Sequence, residues 1–139
     1  MSYRLLIDSL HRRLRDEGWH DIRPAYGFVL LAARDRPASS TELASKLGVT
    51  KQAVSKVLEP MDAAGLIRRS ADPQDARMKI VELAPRGKRL LATVERIYAE
   101  IEAEWGEAVG AEAIELTRSY LTEIVLAAND GQFPVIRFE

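Results

Sequence analysis

The stretch that decides the fold runs from Thr41 to Lys56, TELASKLGVTKQAVSK. Two short helices that meet at a tight turn need a small side chain where they cross and a residue free to take positive φ between them. Ala44 and Gly48 supply these. Leu43, Ala44 and Leu47 recur at helical spacing on the first helix. Ser39 stands before it with Glu42 three residues on, the spacing of a capping box. Thr50 suits the N-cap of the second helix, which turns Ala53, Val54, Val57 and Met61 inward and stops at Gly65. With that face buried, Lys51, Gln52, Ser55 and Lys56 point outward. Such side chains donate to phosphates and base edges, and Gln pairs bidentately with adenine in a major groove. An ordinary helical hairpin with a solvated polar face has the same spacing, so the flanking sequence carries the decision.

Downstream the period changes from helical to alternating. Leu66-Ile67-Arg68-Arg69 and Met78-Lys79-Ile80-Val81-Glu82-Leu83 are expected to pair as strands around a polar turn over 70–77. A hairpin after a helix pair is a wing. Arg77, near its tip, is the candidate to enter a minor groove, with Asp75 placed to hold the guanidinium by a charge-assisted hydrogen bond. A plain turn would also suit these Asp-Pro and Asp-Ala sequences. Further helices flank the unit. Tyr3, Leu6, Ile7, Leu10 and Leu14 form one apolar stripe, ending near Gly18. Ile22, Tyr26, Val29, Leu30 and Ala33 form another, between Pro24 and Pro37. Leu90, Leu91, Val94, Ile97, Tyr98, Ile101 and Trp105 mark a long helix opened by Pro85 and broken at Gly106 or Gly110. Ile114, Thr117, Leu121, Ile124, Val125 and Ala128 mark a last one, stopped by Asn129-Asp130-Gly131. The expected fold class is mainly α with a small β-hairpin wing. A winged helix-turn-helix DNA-binding module spans 22–90, and helical arms over 1–21 and 91–139 form a dimerisation region.

Charge is divided along the chain. The formal net charge of −1 hides a balance of +5 over 34–92, from 12 Lys/Arg against 7 Asp/Glu. Residues 93–139 hold 3 against 10, a balance of −7. A basic middle and an acidic end suit a nucleic-acid partner met by one face only. The absence of Cys excludes disulfides, Cys-zinc sites and thiol redox sensing. His11 and His20 lack a further ligand at metal spacing, so no metal is expected. Glu100, Glu102, Glu104 and Glu107 fall mostly off the apolar stripe and suit a solvated face better than paired catalytic carboxylates. No nucleophile triad, phosphate-cradling loop or dinucleotide fingerprint is present, so neither an enzyme nor a cofactor is expected. Trp19, Tyr26 and Phe28 lie where arms and module should meet, as core packing or as the lining of an effector pocket. No stretch reaches the length of a membrane span and no leader is evident, which points to a cytoplasmic protein. The segment over 133–138 is apolar and would be a liability if exposed.

Three further segments carry a family likeness: AVSKVLEPMDAAGLIRR over 53–69, DPQDAR over 72–77 and VELAPRG over 81–87. With the pattern from about Ile22 to Leu91, the chain resembles the multiple-antibiotic-resistance-regulator (MarR) family of bacterial winged-helix repressors. Asp75-Ala76-Arg77 matches that family's Asp-x-Arg wing element. Leu83-Ala84-Pro85-Arg86-Gly87 matches its Leu-Thr-x-x-Gly junction except at Ala84. The resemblance implies a homodimer that binds a palindromic operator and is released by a small aromatic effector. DNA contacts are then expected from Ser39, Thr50, Lys51, Gln52, Ser55, Lys56, Asp75, Arg77 and Lys79. A winged helix serving only as a protein-interaction module is the alternative, and it has no need of Lys51, Lys56, Arg77 and Lys79 together. Two departures stand out. Ala84 forgoes a side-chain N-cap worth about 1 kcal/mol, partly offset by Pro85. Pro60 removes the bond to the Lys56 carbonyl at a cost of roughly 3 kcal/mol, which predicts a kink between a DNA-reading half and a packing half.

Overall fold

Where each helix begins and ends follows from local chemistry. The computed structural model describes residues 2–131, with side chains from Arg4 onward; the apolar segment over 133–138 and the side chain of Tyr3 lie outside the described residues. In chain order the elements are α1 (Ser2–Asp16), α2 (Pro24–Ala32), β1 (Ala38–Ser39), α3 (Ser40–Leu47), α4 (Lys51–Ala63), β2 (Ile67–Ala71), β3 (Lys79–Leu83), α5 (Pro85–Val109) and α6 (Ala111–Ala128).

The Ser39 hydroxyl oxygen accepts the Glu42 N–H at 3.0 Å, the first half of the capping box. The second half is absent, because the Glu42 carboxylate turns to Arg36 and to Lys46 instead. Gly48 takes φ 61°, the left-handed cap that ends α3. Thr50 Oγ1 then accepts the Ala53 N–H at 3.1 Å and opens α4. Pro60 lies in the last turn of α4, and the helix continues through it to Ala63. Only one backbone bond is lost there, while fully buried Leu58 and Met61 hold the helix to the core on either side.

The sheet has three strands rather than a bare hairpin, in the antiparallel order β1-β3-β2. β1 pairs Ala38 with Val81, and β2 pairs Ile67 with Leu83 and Arg69 with Val81. One apolar core joins all these elements except α6: Leu10 and Leu14 of α1, Val29 and Leu30 of α2, Leu43 and Leu47 of α3, Val54 and Leu58 of α4, Val81 of β3, and Leu90, Ile97 and Ile101 of α5. At the start of α5 the two backbones nearly touch. A Cβ on Gly87 would sit 2.0 Å from the Leu66 carbonyl oxygen, which also accepts the Ala84 N–H at 3.0 Å. Ala84 makes no side-chain cap and Pro85 fills the first turn, as the sequence implied.

α6 stands apart in its packing. It rests on α5 and buries none of its residues. Leu121 is 57% exposed and Ile124 62% exposed, with Leu116 and Tyr120 beside them. Trp105, expected on the inner stripe of α5, is exposed as well. Glu100, Glu104 and Glu107 of α5 are exposed and Glu102 is half-buried; Glu104 and Glu100 pair with Arg13, Glu100 also with Arg96, and Glu102 with Arg118. The pairs with Arg13 and Arg118 tie α1 and α6 to α5, each worth little alone at a solvated surface.

Candidate nucleic-acid interface

Two elements present the candidate side chains, and both are positioned by the core beneath them. On α4, burial of Val54, Leu58 and Met61 forces Lys51, Gln52 and Lys56 outward. All three are exposed and Ser55 is half-buried among them. Glu59 follows on the exposed side, so the basic part of the helix is its N-terminal half. Thr50 is exposed and Ser39 half-buried; each hydroxyl oxygen is engaged in capping but keeps its O–H to donate.

The wing carries the rest. Arg77 and Asp75 are exposed in the turn between β2 and β3, and Lys79 is exposed at the start of β3. Asp75 does position Arg77, but through the backbone: its Oδ1 accepts the Arg77 N–H at 3.0 Å, in place of the expected bond to the guanidinium. The reason is distance along the chain. A carboxylate two residues upstream reaches the local N–H in a compact turn, which leaves the long guanidinium free. The Asp75 carbonyl accepts the Met78 N–H at 2.9 Å, and Asp72 braces the turn by accepting the Gln74 N–H at 2.8 Å. The Asp-Pro sequence suited a turn, and the Asp72 side chain is what braces it.

Electrostatic pairing separates this face from the rest of the molecule. The ion pairs between elements among the described residues join α1 and the residue after it to α5, the middle of α5 to the segment after α2, α3 to its preceding loop, and α5 to α6. None involves α4, β2, β3 or the turn between the strands. Lys51, Lys56, Arg77 and Lys79 therefore stand without acidic partners among the described residues.

Arg69 was also missed. It is half-buried on β2, and its Nε is buried with no hydrogen-bond partner among the described residues. An unmade hydrogen bond at a buried donor costs about 1–3 kcal/mol.

The three aromatic residues are not brought together. Phe28 lines a pocket of about 190 Å³ between α1, α2 and α5, with Ile7, Leu10, His11, Leu31, Val94 and Tyr98. Tyr26 is buried in the core and borders a separate polar bay beside Pro60 and Arg86. Trp19 lies under the Arg86 guanidinium, whose carbon is 5.5 Å from the ring centroid, while Arg86 Nη1 donates to the Ala64 carbonyl at 2.5 Å. Trp19 and Arg86 thus lock the end of α4 to the start of α5. In the Phe28 pocket, partial burial pulls the His11 imidazole below the usual histidine range. The Arg15 charge adds to this, against upward contributions from a hydrogen bond with the Ile22 backbone and from Asp8.

A recognition helix packed across a shorter helix, with a hairpin following it, defines a winged helix-turn-helix protein. A model of the MarR family matches residues 20–78. The transcriptional regulator HosA of Escherichia coli O111:H- is 30% identical over 95 residues, 68% of this chain and 70% of that protein. The chain belongs to the MarR family, whose members are transcriptional regulators and not enzymes. Among solved structures, Streptococcus pneumoniae FabT in complex with DNA has the same fold, with a TM-score of 0.74 at 19% identity over 94% of this chain and 91% of that one. The S. aureus MepR–DNA complex has a TM-score of 0.67 at 23% identity over 92% of each chain.

Proposed function

We propose that the protein is a transcriptional repressor that binds a palindromic operator as a homodimer and is released by a small aromatic ligand. The observation that carries the DNA partner is the row of unpaired cations on α4 and the wing, in a molecule whose other described surfaces pair many of theirs with acids. Charges left free on one face are available to displace counterions from a phosphate backbone. The acidic residues of 95–107 and 112–123 belong to α5 and α6 rather than to α4 or the wing. The exposed apolar side chains of α6 support the homodimer, since a second copy would cover them. The pocket at Phe28 supports the ligand: its walls are apolar, and it lies between the helix that opens the module and the helix that leads to α6. No helix among the described residues is long and apolar enough to cross a membrane.

Within this reading Gln52 and Ser55 recognise bases, while Lys51, Lys56 and Lys79 hold phosphates. Gln52→Ala is expected to weaken operator binding by about 1–3 kcal/mol and relax preference at one position of each half-site. Lys56→Ala is expected to weaken specific and random duplexes alike and to lower the salt slope by about one. Titrations of both variants on operator and scrambled DNA separate the roles. Equal losses on both duplexes for both variants would remove the assignment. Small phenols and aromatic acids added to the wild-type titration test the release step, and no change in affinity with any of them counts against it.

A further inference from the structure

Arg69 occupies a place that the fold does not explain. Residues directly opposite in an antiparallel pair share a face of the sheet, so Arg69 lies on the same face as Val81, and Val81 pairs on its other side with Ala38. Val81 and Ala38 are buried, as is Ile67 two residues before Arg69 on the same face. Arg69 therefore continues the inward phase of β2, where a strand so close to the core would carry an apolar residue. β2 is an edge strand, and α4 packs against it. Towards the wing tip the next pair on this face is Ala71 with Lys79. The inner face of the wing thus passes from apolar to cationic beside the recognition helix. Arg69 forms no ion pair with any described residue, and its Nε is buried without a partner.

Resting on the operator-binding reading above, we infer that Arg69 is a phosphate clamp between the two groove-reading elements. With α4 in a major groove and Arg77 over the adjacent minor groove, the strand that separates those grooves crosses the crease between α4 and β2. From the half-buried side chain at that crease, the two terminal Nη groups of a planar guanidinium are the donors that meet one phosphate side by side, a geometry that lysine lacks. Contact with that phosphate fixes the angle between helix and wing and so aligns Gln52 with Arg77. Arg68 supplies the internal comparison. It sits on the same strand but on the opposite face, across from Glu82, and points its charge away from the crease.

The experiment compares wild type, Arg69→Gln, Arg69→Lys and Arg68→Gln on the upstream region of the protein's own gene and on a scrambled duplex, from about 50 to 200 mM salt. Arg69→Gln is expected to lose roughly tenfold in affinity for both duplexes and to lower the salt slope by about one. Arg69→Lys should keep the slope and recover only part of the affinity, and Arg68→Gln should stay within about twofold of wild type. Thermal unfolding without DNA should be unchanged or raised for Arg69→Gln, because a structural role would lower it. Equal effects of Arg69→Gln and Arg68→Gln would reduce the clamp to bulk charge and overturn it, as would wild-type binding by Arg69→Gln or a lowered melting temperature. If wild type binds neither duplex, the operator reading fails and the clamp with it.

Discussion

Replacing Gly87 by Ala is expected to destabilise the protein by about 3 kcal/mol, the upper range for forcing an atom into a packed contact. The added Cβ meets the Leu66 carbonyl oxygen at 2.0 Å, and the obstacle is backbone rather than a side chain able to turn aside. Relief requires α5 to move away from Leu66. That movement breaks the bond from the Ala84 N–H to the same oxygen and opens the core around Leu90. It would also shift β2, whose first residue follows Leu66, and with it the wing. Urea unfolding of wild type and variant measures the effect directly. A loss below about 1 kcal/mol would mean that the close approach is not a fixed feature of the fold.

The second large effect concerns the face of α6. Leu121→Asp combined with Ile124→Asp places two charges among the exposed apolar side chains. If a second copy covers that face, the variant sediments at the 15.5 kDa of a single chain while wild type runs at twice that mass. Affinity for a two-half-site operator should then fall about 10²–10⁴-fold, because the second half-site is no longer bound as a linked event. The fold of the module should survive, since neither side chain belongs to its core. A wild-type monomer at micromolar concentration, or a variant that remains a dimer, would contradict this use of α6.

The helix-turn-helix was legible because each of its boundaries depends on a local rule. Ser39, Gly48 and Thr50 act within one turn of their own positions, and period alone identifies Leu43, Leu47 and Val54 as buried. β1 was not legible: two residues carry no period, and their pairing depends on Val81, more than forty positions away. The Asp75–Arg77 pairing was anticipated in its residues but not in its atoms, because sequence spacing does not choose between a backbone N–H and a guanidinium. Of the three aromatic residues grouped by position, only Phe28 lines the apolar pocket. Arg69 left a signal that passed unused. In a strand whose inward phase is set by Ile67, a charged residue two positions on is already out of place.

If α4 and the wing recognise a particular DNA sequence, wild-type protein titrated against its own upstream region will distinguish it from a scrambled duplex. The expected dissociation constant is on the order of 10⁻⁸ M or tighter at physiological salt, at least about 10³-fold tighter than on scrambled DNA, and steeply weakened by added salt. Equal affinity for the two duplexes, or binding that salt does not weaken, would contradict it.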